Sequence, residues 1–451
     1  ERFCEFYGYD IADRLPELVW SMPDDAPSTV KYQYFALISE LFAEAFCDKI
    51  GTWCKENNIA FTGHVLQEPS LQSQISVVGE AMRQYRELTI PGIDMLCNRV
   101  ELTTAKQAQS VAHQYGRNAV ASELYGVTGW DFDFRGHKFQ GDWQAALGVT
   151  LRVPHLSWVS MQGMAKRDYP ASISYQSSWY KKYGYIEDHF ARLNTALTRG
   201  TPCINVGVIH PVESAWMVFG VNEHTFETCN KIDDDFASVT NWLLRGQMDF
   251  DYISESMLPD LYREDGDGFT VGKMSYQAVL IPPVLTLRST TLAYLTEFIK
   301  RGGKVITSGK CPEYSDGKPS DAAKALWAAA QTVPFTETDI LTALEPQREI
   351  ILQNESGEAK KDMIYTLRRD GNNKWLFVAH CDAPEHAAGN DCARDNLRIR
   401  IKGIYEPTLY NTINGTIESV AYEHRQGSTE ITVSCYALDS FLFSLAPCKE
   451  Q

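Results

Sequence analysis

The chain has 451 residues, 44% of them hydrophobic and 22% charged, a globular composition too long for one core, so two or three domains are expected. A formal net charge of −16 excludes a polyanionic partner such as nucleic acid, which needs a basic face. No run of about eighteen apolar residues occurs, which excludes a transmembrane helix.

The stretch Glu1–Ile11 has neither an initiator Met nor a signal-peptide pattern and reads as the middle of a helix followed by a loop. The chain is therefore expected to be a piece of a longer protein, which leaves export open. The 11 cysteines are odd in number, form no CxxC pair and sit largely inside apolar runs. Reduced, buried thiols in a cytoplasmic protein are the expectation.

Residues 31–57 form a long amphipathic helix, with Tyr34, Ile38, Leu41, Phe42 and Ala45 on one stripe. A strand is expected at 59–66, a helix at 70–88 and a strand at Ile93–Leu96. A helix from Thr104 to Tyr115, capped by Thr103 or Thr104, leads to a strand from Asn118 to Ser122 that ends at Glu123. A helix around Asp142–Gly148, a strand at 150–157 and a helix at Ile186–Thr198 follow. Strand and helix alternate with short links, the pattern of a parallel α/β unit, yet about four strands can be counted where a closed barrel needs eight.

A second block opens near Thr201. Ile204–Ile209, Ala278–Pro283 and Lys304–Ser308 read as continuous apolar strands, and Glu223–Leu244, Thr290–Lys300 and Ala322–Ala330 as helices. This predicts an open, flavodoxin-like α/β domain. From about Val333 the period shortens. Asp362–Leu367, Lys374–His380, Asn396–Ile401, Glu430–Tyr436 and Phe441–Ser444 alternate, with turns at Gly371-Asn372-Asn373, Asn414-Gly415 and Gln426-Gly427. An antiparallel β-sandwich is expected there.

Two short apolar runs end in carboxylates. Phe61–Leu66 leads through His64 to Glu68-Pro69, and Val120–Ser122 leads to Glu123. Carboxylates at the carboxyl ends of barrel strands are how (β/α)₈ enzymes build their sites, and two of them are the minimum for hydrolysing a glycosidic bond. Glu123 precedes two glycines, Trp130 and Asp131, which suits a sugar site: aromatic faces stack on pyranose rings and glycine lets the backbone approach closely. His155 and Trp158 end the next strand, and Arg167-Asp168-Tyr169-Pro170 and the aromatic stretch Tyr175–Tyr180, with Trp179, follow. His64, Trp130, His155, Trp158, Tyr175 and Trp179 are the expected substrate ligands. The competing readings are a surface Glu at a loop start, a helix-start Glu68 favoured by the macrodipole, and packing aromatics. Asp131 and Asp133 are the loop acids that Ca²⁺ would take; solvated loop acids are far commoner, so no cofactor is expected. GxSxG, P-loop and HExxH signatures are missing, and Cys311 offers an amidotransferase thiol without a histidine signal beside it.

Tyr7-Gly8-Tyr9-Asp10-Ile11, Thr62-Gly63-His64, Pro91-Gly92-Ile93-Asp94, Ser122-Glu123 and above all Tyr175–Tyr180 leading into Asp188–Leu193 resemble the bacterial glycoside hydrolases related to the family 106 α-L-rhamnosidases. The resemblance covers roughly residues 1–215. The domain order is also similar to that of the family 42 β-galactosidases, whose middle domain can mediate oligomerisation. The resemblance implies the carboxyl-terminal part of a (β/α)₈ barrel at 1–200, a flavodoxin-like domain at 201–332 and a β-sandwich at 333–451. It implies a glycoside substrate and a homo-oligomer. It matches Glu123 to the later of two catalytic carboxylates, on the seventh strand. The earlier one belongs to an Asp-Glu-Pro-like motif on the fourth strand, a few residues before Tyr7, where this sequence has none; Glu68 is then a supporting acid. A carbohydrate-binding or oligomerisation module without turnover is the alternative.

Overall fold

The structure, a computed structural model, describes residues 1–20, 22, 26–164, 169, 171, 173–220, 223–382 and 395–448, with the backbone alone at 223–226. It is a mixed α/β protein with parallel sheets of four and five strands followed by antiparallel sheets of four and six.

The first sheet has four parallel strands in sequence order: β1 (Thr62–His64), β2 (Ile90–Met95), β3 (Val120–Leu124) and β4 (Val149–Pro154). Alternation divides its faces. Ile93, Met95 and Leu124 are fully buried beneath helices α2 (Leu102–Gln114) and α3 (Phe134–Ala146). The opposite face carries Asp94 and Glu123 in register, and beyond them Leu151 and Val153, which stand 39% and 48% exposed. Parallel sheets are ordinarily covered on both faces; among the described residues this one is covered on one.

Helix α1 (Thr29–Phe42) is capped by Ser28, whose hydroxyl accepts from Lys31 N (3.2 Å), and continues through a π-helical turn at Ala43–Asp48 into Lys49–Glu56. The helix expected over 70–88 is broken into Leu71–Val77 and Ala81–Gln84. Gly79, at φ 78°, makes the break, and a side chain there would collide with Ser39 of α1. The strand expected at 59–66 shrinks to three residues, because Phe61 N–H donates to the Thr89 hydroxyl (3.1 Å) and Gln67 turns into the left-handed region (φ 64°). Neither Thr103 nor Thr104 caps α2. The helix starts earlier, after Glu101, and the two hydroxyls donate instead to Pro69 O (2.9 Å) and Glu101 Oε2 (3.2 Å).

The second sheet is parallel, with β5 (Val206–Ile209) next to the edge strand β6 (Phe250–Ile253) and with β7 (Ala278–Ile281), β8 (Lys304–Ser308) and β9 (Gln331–Val333) in order on its other side. Strand β6 escapes detection in the sequence because Asp251 interrupts its apolar run. Asp251 is fully buried against His113 Nδ1 of α2 (2.9 Å), and Lys106 Nζ, about two turns earlier on the helix, meets Asp249 Oδ1 (2.5 Å). Helix α2 is thus wedged between the two parallel sheets, which is why even its polar side chains are buried.

The antiparallel part pairs a six-stranded sheet with a four-stranded one. Met363–Asp370 and Asn373–His380 form a hairpin closed by Gly371-Asn372, where Gly371 supplies the positive φ (62°) needed at the first turn position. Leu397, Ile399 and Ile401 alternate inward against Ile431, Leu376, Val378 and Phe443, building a second core.

Candidate active site

The carboxyl ends of all four strands of the first sheet converge. His64 is the last residue of β1, Asp94 and Glu123 are the penultimate residues of β2 and β3, and His155 directly follows β4. Two glycines make the convergence sterically possible. Gly92 is the register partner of His64, and a side chain on it would strike the Gly63 carbonyl. A Cβ on Gly126 would come within 2.8 Å of the His155 ring and 2.7 Å of Leu96.

The loops leaving these strands are strained. Gln67 (φ 64°) follows β1, Cys97 (φ 65°) follows β2, and Tyr125 (φ 72°) and Val127 (φ 60°) follow β3. Left-handed geometry costs a non-glycine residue on the order of 1–3 kcal/mol and is worst for a β-branched one. Part of the restraint is visible: Cys97 N donates to Gly126 O (2.8 Å), and His155 N to Leu124 O (2.8 Å). Such strain gathers where a fold holds groups for chemistry.

Glu123 is the hub. Its Oε2 lies 3.0 Å from His64 Nε2 and its Oε1 3.8 Å from His155 Nε2, with its side chain about one third exposed (34%). Burial, the largest influence on His64, works against its charge, but the Val65 carbonyl, Asp94, Glu123 and Glu68 outweigh it and hold the ring above its ordinary pKa. Asp94 is raised chiefly by burial and further by Glu123, with His64 and His155 opposing; its Oδ1 is buried and without a hydrogen-bond partner among the described residues. Glu68 is 2% exposed, and burial pushes its carboxyl up to about 7. Tyr85 Oη donates to it (3.4 Å), and the charges of His64 and Asp94 act on it; the structure records no bond between Glu68 and Glu123.

The aromatic residues divide into two groups. Trp130 and Trp158 pair in the loops after β3 and β4, with ring centroids 6.3 Å apart. Tyr175 and its neighbour Gln176 fold back onto the same loop, Tyr175 Oη donating to Val159 O (3.0 Å) and Gln176 Nε2 to Trp158 O (2.6 Å). Trp179 instead packs edge-on against Phe134 at the start of α3 (6.3 Å), beside Tyr183. Arg167, Asp168 and Pro170 lie outside the described residues, while Tyr169 stands near His155 (6.2 Å between rings). Asp133 caps α3, accepting from Arg135 N (3.0 Å) and Gly136 N (3.4 Å), so one of the two loop acids is engaged by a helix start. Among the described residues no group of three or more His, Cys, Asp or Glu side chains is arranged for a metal ion. Burial raises the Cys311 thiol, which contacts Pro312 O (3.8 Å), a poor setting for a nucleophile. No helix of the described residues is long and apolar enough to cross a membrane.

Asp94 and Tyr85 are the members that sequence reasoning passed over. Asp94 sits at the same strand position as Glu123, an acid one residue before the strand end, and that parallel was the available signal. Tyr85 carried none, since its bond to Glu68 forms across the break after Val77.

Over its whole length the fold superposes on a rhamnosidase from Novosphingobium sp. PP1Y, with a TM-score of 0.76 at 18% identity, covering 43% of that chain. A family 42 β-galactosidase from G. stearothermophilus superposes with a TM-score of 0.62 at 8% identity, over 92% of this chain and 68% of that one. In sequence, a putative β-glucuronidase from Formosa agariphila is 21% identical over 441 residues, which are 94% of this chain and 35% of that protein. The chain thus spans about a third of the length of the curated relative it matches. The model of the α-L-rhamnosidase family matches residues 1–424, and the chain belongs to that family, glycoside hydrolase family 106.

Proposed function

We propose that this chain carries the carboxyl-terminal half of a (β/α)₈ glycosidase barrel, at residues 1–200, and that the complete protein hydrolyses a glycoside with Glu123 as a reacting carboxylate. The observation that carries this reading is the Glu123 carboxylate set between His64 and His155 at the strand ends, with Asp94 beside it in register. In an inverting reaction Glu123 is the base that activates water; in a retaining one it is the nucleophile. The spacing to its partner decides, about 5–5.5 Å for retention and about 6.5–9.5 Å for inversion. Glu68, protonated to about pH 7, and Asp94 hold sugar hydroxyls, and Trp130 and Trp158 offer faces to a ring.

The partner carboxylate belongs to strands that would pair with the free edges of β1 and β4 and cover Leu151 and Val153. On this reading residues 201–332 are a flavodoxin-like domain, their strand order being that of such sheets, and 333–451 a β-sandwich. The family points first to α-L-rhamnosides. Aryl α-L-rhamnosides, β-galactosides and β-glucuronides assayed with the full-length protein and its Glu123→Gln variant test the assignment; unchanged turnover in the variant would sink it.

The open sheet face also favours a second reading, that this chain by itself binds glycans or self-associates without turnover. Calorimetry with rhamnosides and sedimentation of the isolated chain address it, and turnover by that chain would exclude it.

A further inference from the structure

The hydrogen bonds of His64 fix its protonation. Nδ1 lies 3.0 Å from the Val65 carbonyl oxygen, which can only accept, so Nδ1 carries a hydrogen. A neutral ring would then present its Nε2 lone pair to Glu123 Oε2 at 3.0 Å, two acceptors face to face. One further proton must lie between them. The acids that face this ring come from every neighbouring element: Glu68 from the loop after β1, Asp94 from β2 and Glu123 from β3. All three favour the imidazolium, and His155 lies opposite, 3.8 Å from the far oxygen of Glu123.

We infer that His64 stands as an imidazolium and is the positioning residue of Glu123, donating from Nδ1 to Val65 and from Nε2 to Oε2, so that Oε1 is the oxygen left to react. The inference rests on the role proposed for Glu123, and holds whether that carboxylate acts as base or nucleophile. His155 supports the division of labour. Its Nδ1 has no partner among the described residues, while its Nε2 stands 3.8 Å from Oε1, too long for a hydrogen bond, so Oε1 stays unengaged by it. Gly92, the register partner of His64, lets β1 and β2 lie close together, since a side chain there would strike the Gly63 carbonyl.

The test is ¹⁵N NMR of the full-length protein labelled at histidine, with the His64 signals assigned by their loss in His64→Gln. At pH 7 both ring nitrogens of His64 should be protonated, with a midpoint above the ordinary value of about 6.5. In Glu123→Gln that midpoint should fall by roughly one unit, the size expected when one opposite charge within hydrogen-bond reach is removed. A singly protonated His64 at pH 7, or the same midpoint in both proteins, overturns the inference. Kinetics give a second arm: His64→Ala should lower kcat on the order of 100-fold with little change in KM and move the acid limb of the pH–rate profile, and His64→Gln, which keeps one donor, should recover part of kcat. Equal losses in kcat for both variants with an unmoved acid limb would count against it. The two proposals fail separately. An imidazolium signature in a protein without turnover removes the glycosidase role of Glu123, whereas turnover without the signature removes the role of His64.

Discussion

Asp94 and Glu123 are register partners on adjacent parallel strands, their carboxylates on the same open face of the sheet. Burial and the Glu123 charge hold the Asp94 carboxyl above its ordinary pKa, while His64 and His155 oppose them. Asp94→Asn removes a like charge from beside Glu123. The acid limb of the pH–rate profile should move downward by up to ~1 unit, with the profile shape retained. An upward shift measured on an aryl glycoside would contradict the arrangement.

Glu68 makes a prediction about stability. Burial lifts its carboxyl from an ordinary 4.5 to about 7. Between these values the folded chain holds a proton that the unfolded chain has released, so stability falls as pH rises through that window. The total is on the order of 3 kcal/mol. Glu68→Gln keeps an acceptor for Tyr85 and has no charge to bury. Denaturant midpoints from pH 4.5 to 8 should show the wild type losing stability and the variant staying flat, so that the variant is the more stable above pH 7.

The pair Lys106–Asp249 locks α2 against β6 with both groups almost wholly buried. Lys106→Ala leaves the buried Asp249 without its cation, with Phe250 N still donating to it, a change that costs up to about 3–5 kcal/mol. Thermal unfolding should register a marked drop in Tm, while Lys106→Ala combined with Asp249→Ala should recover much of it. A single variant as stable as the wild type would mean the pair carries no such charge.

Trp130 and Trp158 are predicted to act on binding more than on chemistry. Replacing either with Ala should raise KM by roughly 2–10-fold with kcat little changed, in line with aromatic contacts of about 0.5–1.5 kcal/mol. Trp179→Ala, whose ring packs on Phe134, should lower stability and leave KM close to that of the wild type.

Periodicity located the parts that obey local rules. Lys304–Ser308 is a strand at the expected residues, and the strand before Glu123 ends one residue past it, because a short apolar run declares itself locally. The missed elements are those whose burial comes from elsewhere in the fold. Phe250–Ile253 hides an aspartate that His113 of α2 and Tyr276 explain, and the short strand at His64 is trimmed where Phe61 N–H donates to the Thr89 hydroxyl. The site was half legible for the same reason. A carboxylate at the end of an apolar run is a local signal, so Glu123 and Glu68 could be read. That His64 reaches Glu123 across an intervening strand depends on the register, which no single stretch of sequence contains.

The central claim is that Glu123 is a reacting carboxylate, and its most direct test is kcat/KM of the full-length protein and its Glu123→Gln variant on an aryl α-L-rhamnoside. The exposed, strand-end position of Glu123 predicts a folded variant with activity lowered about 10²–10⁴-fold. A folded variant with activity within about threefold of the wild type would contradict the account.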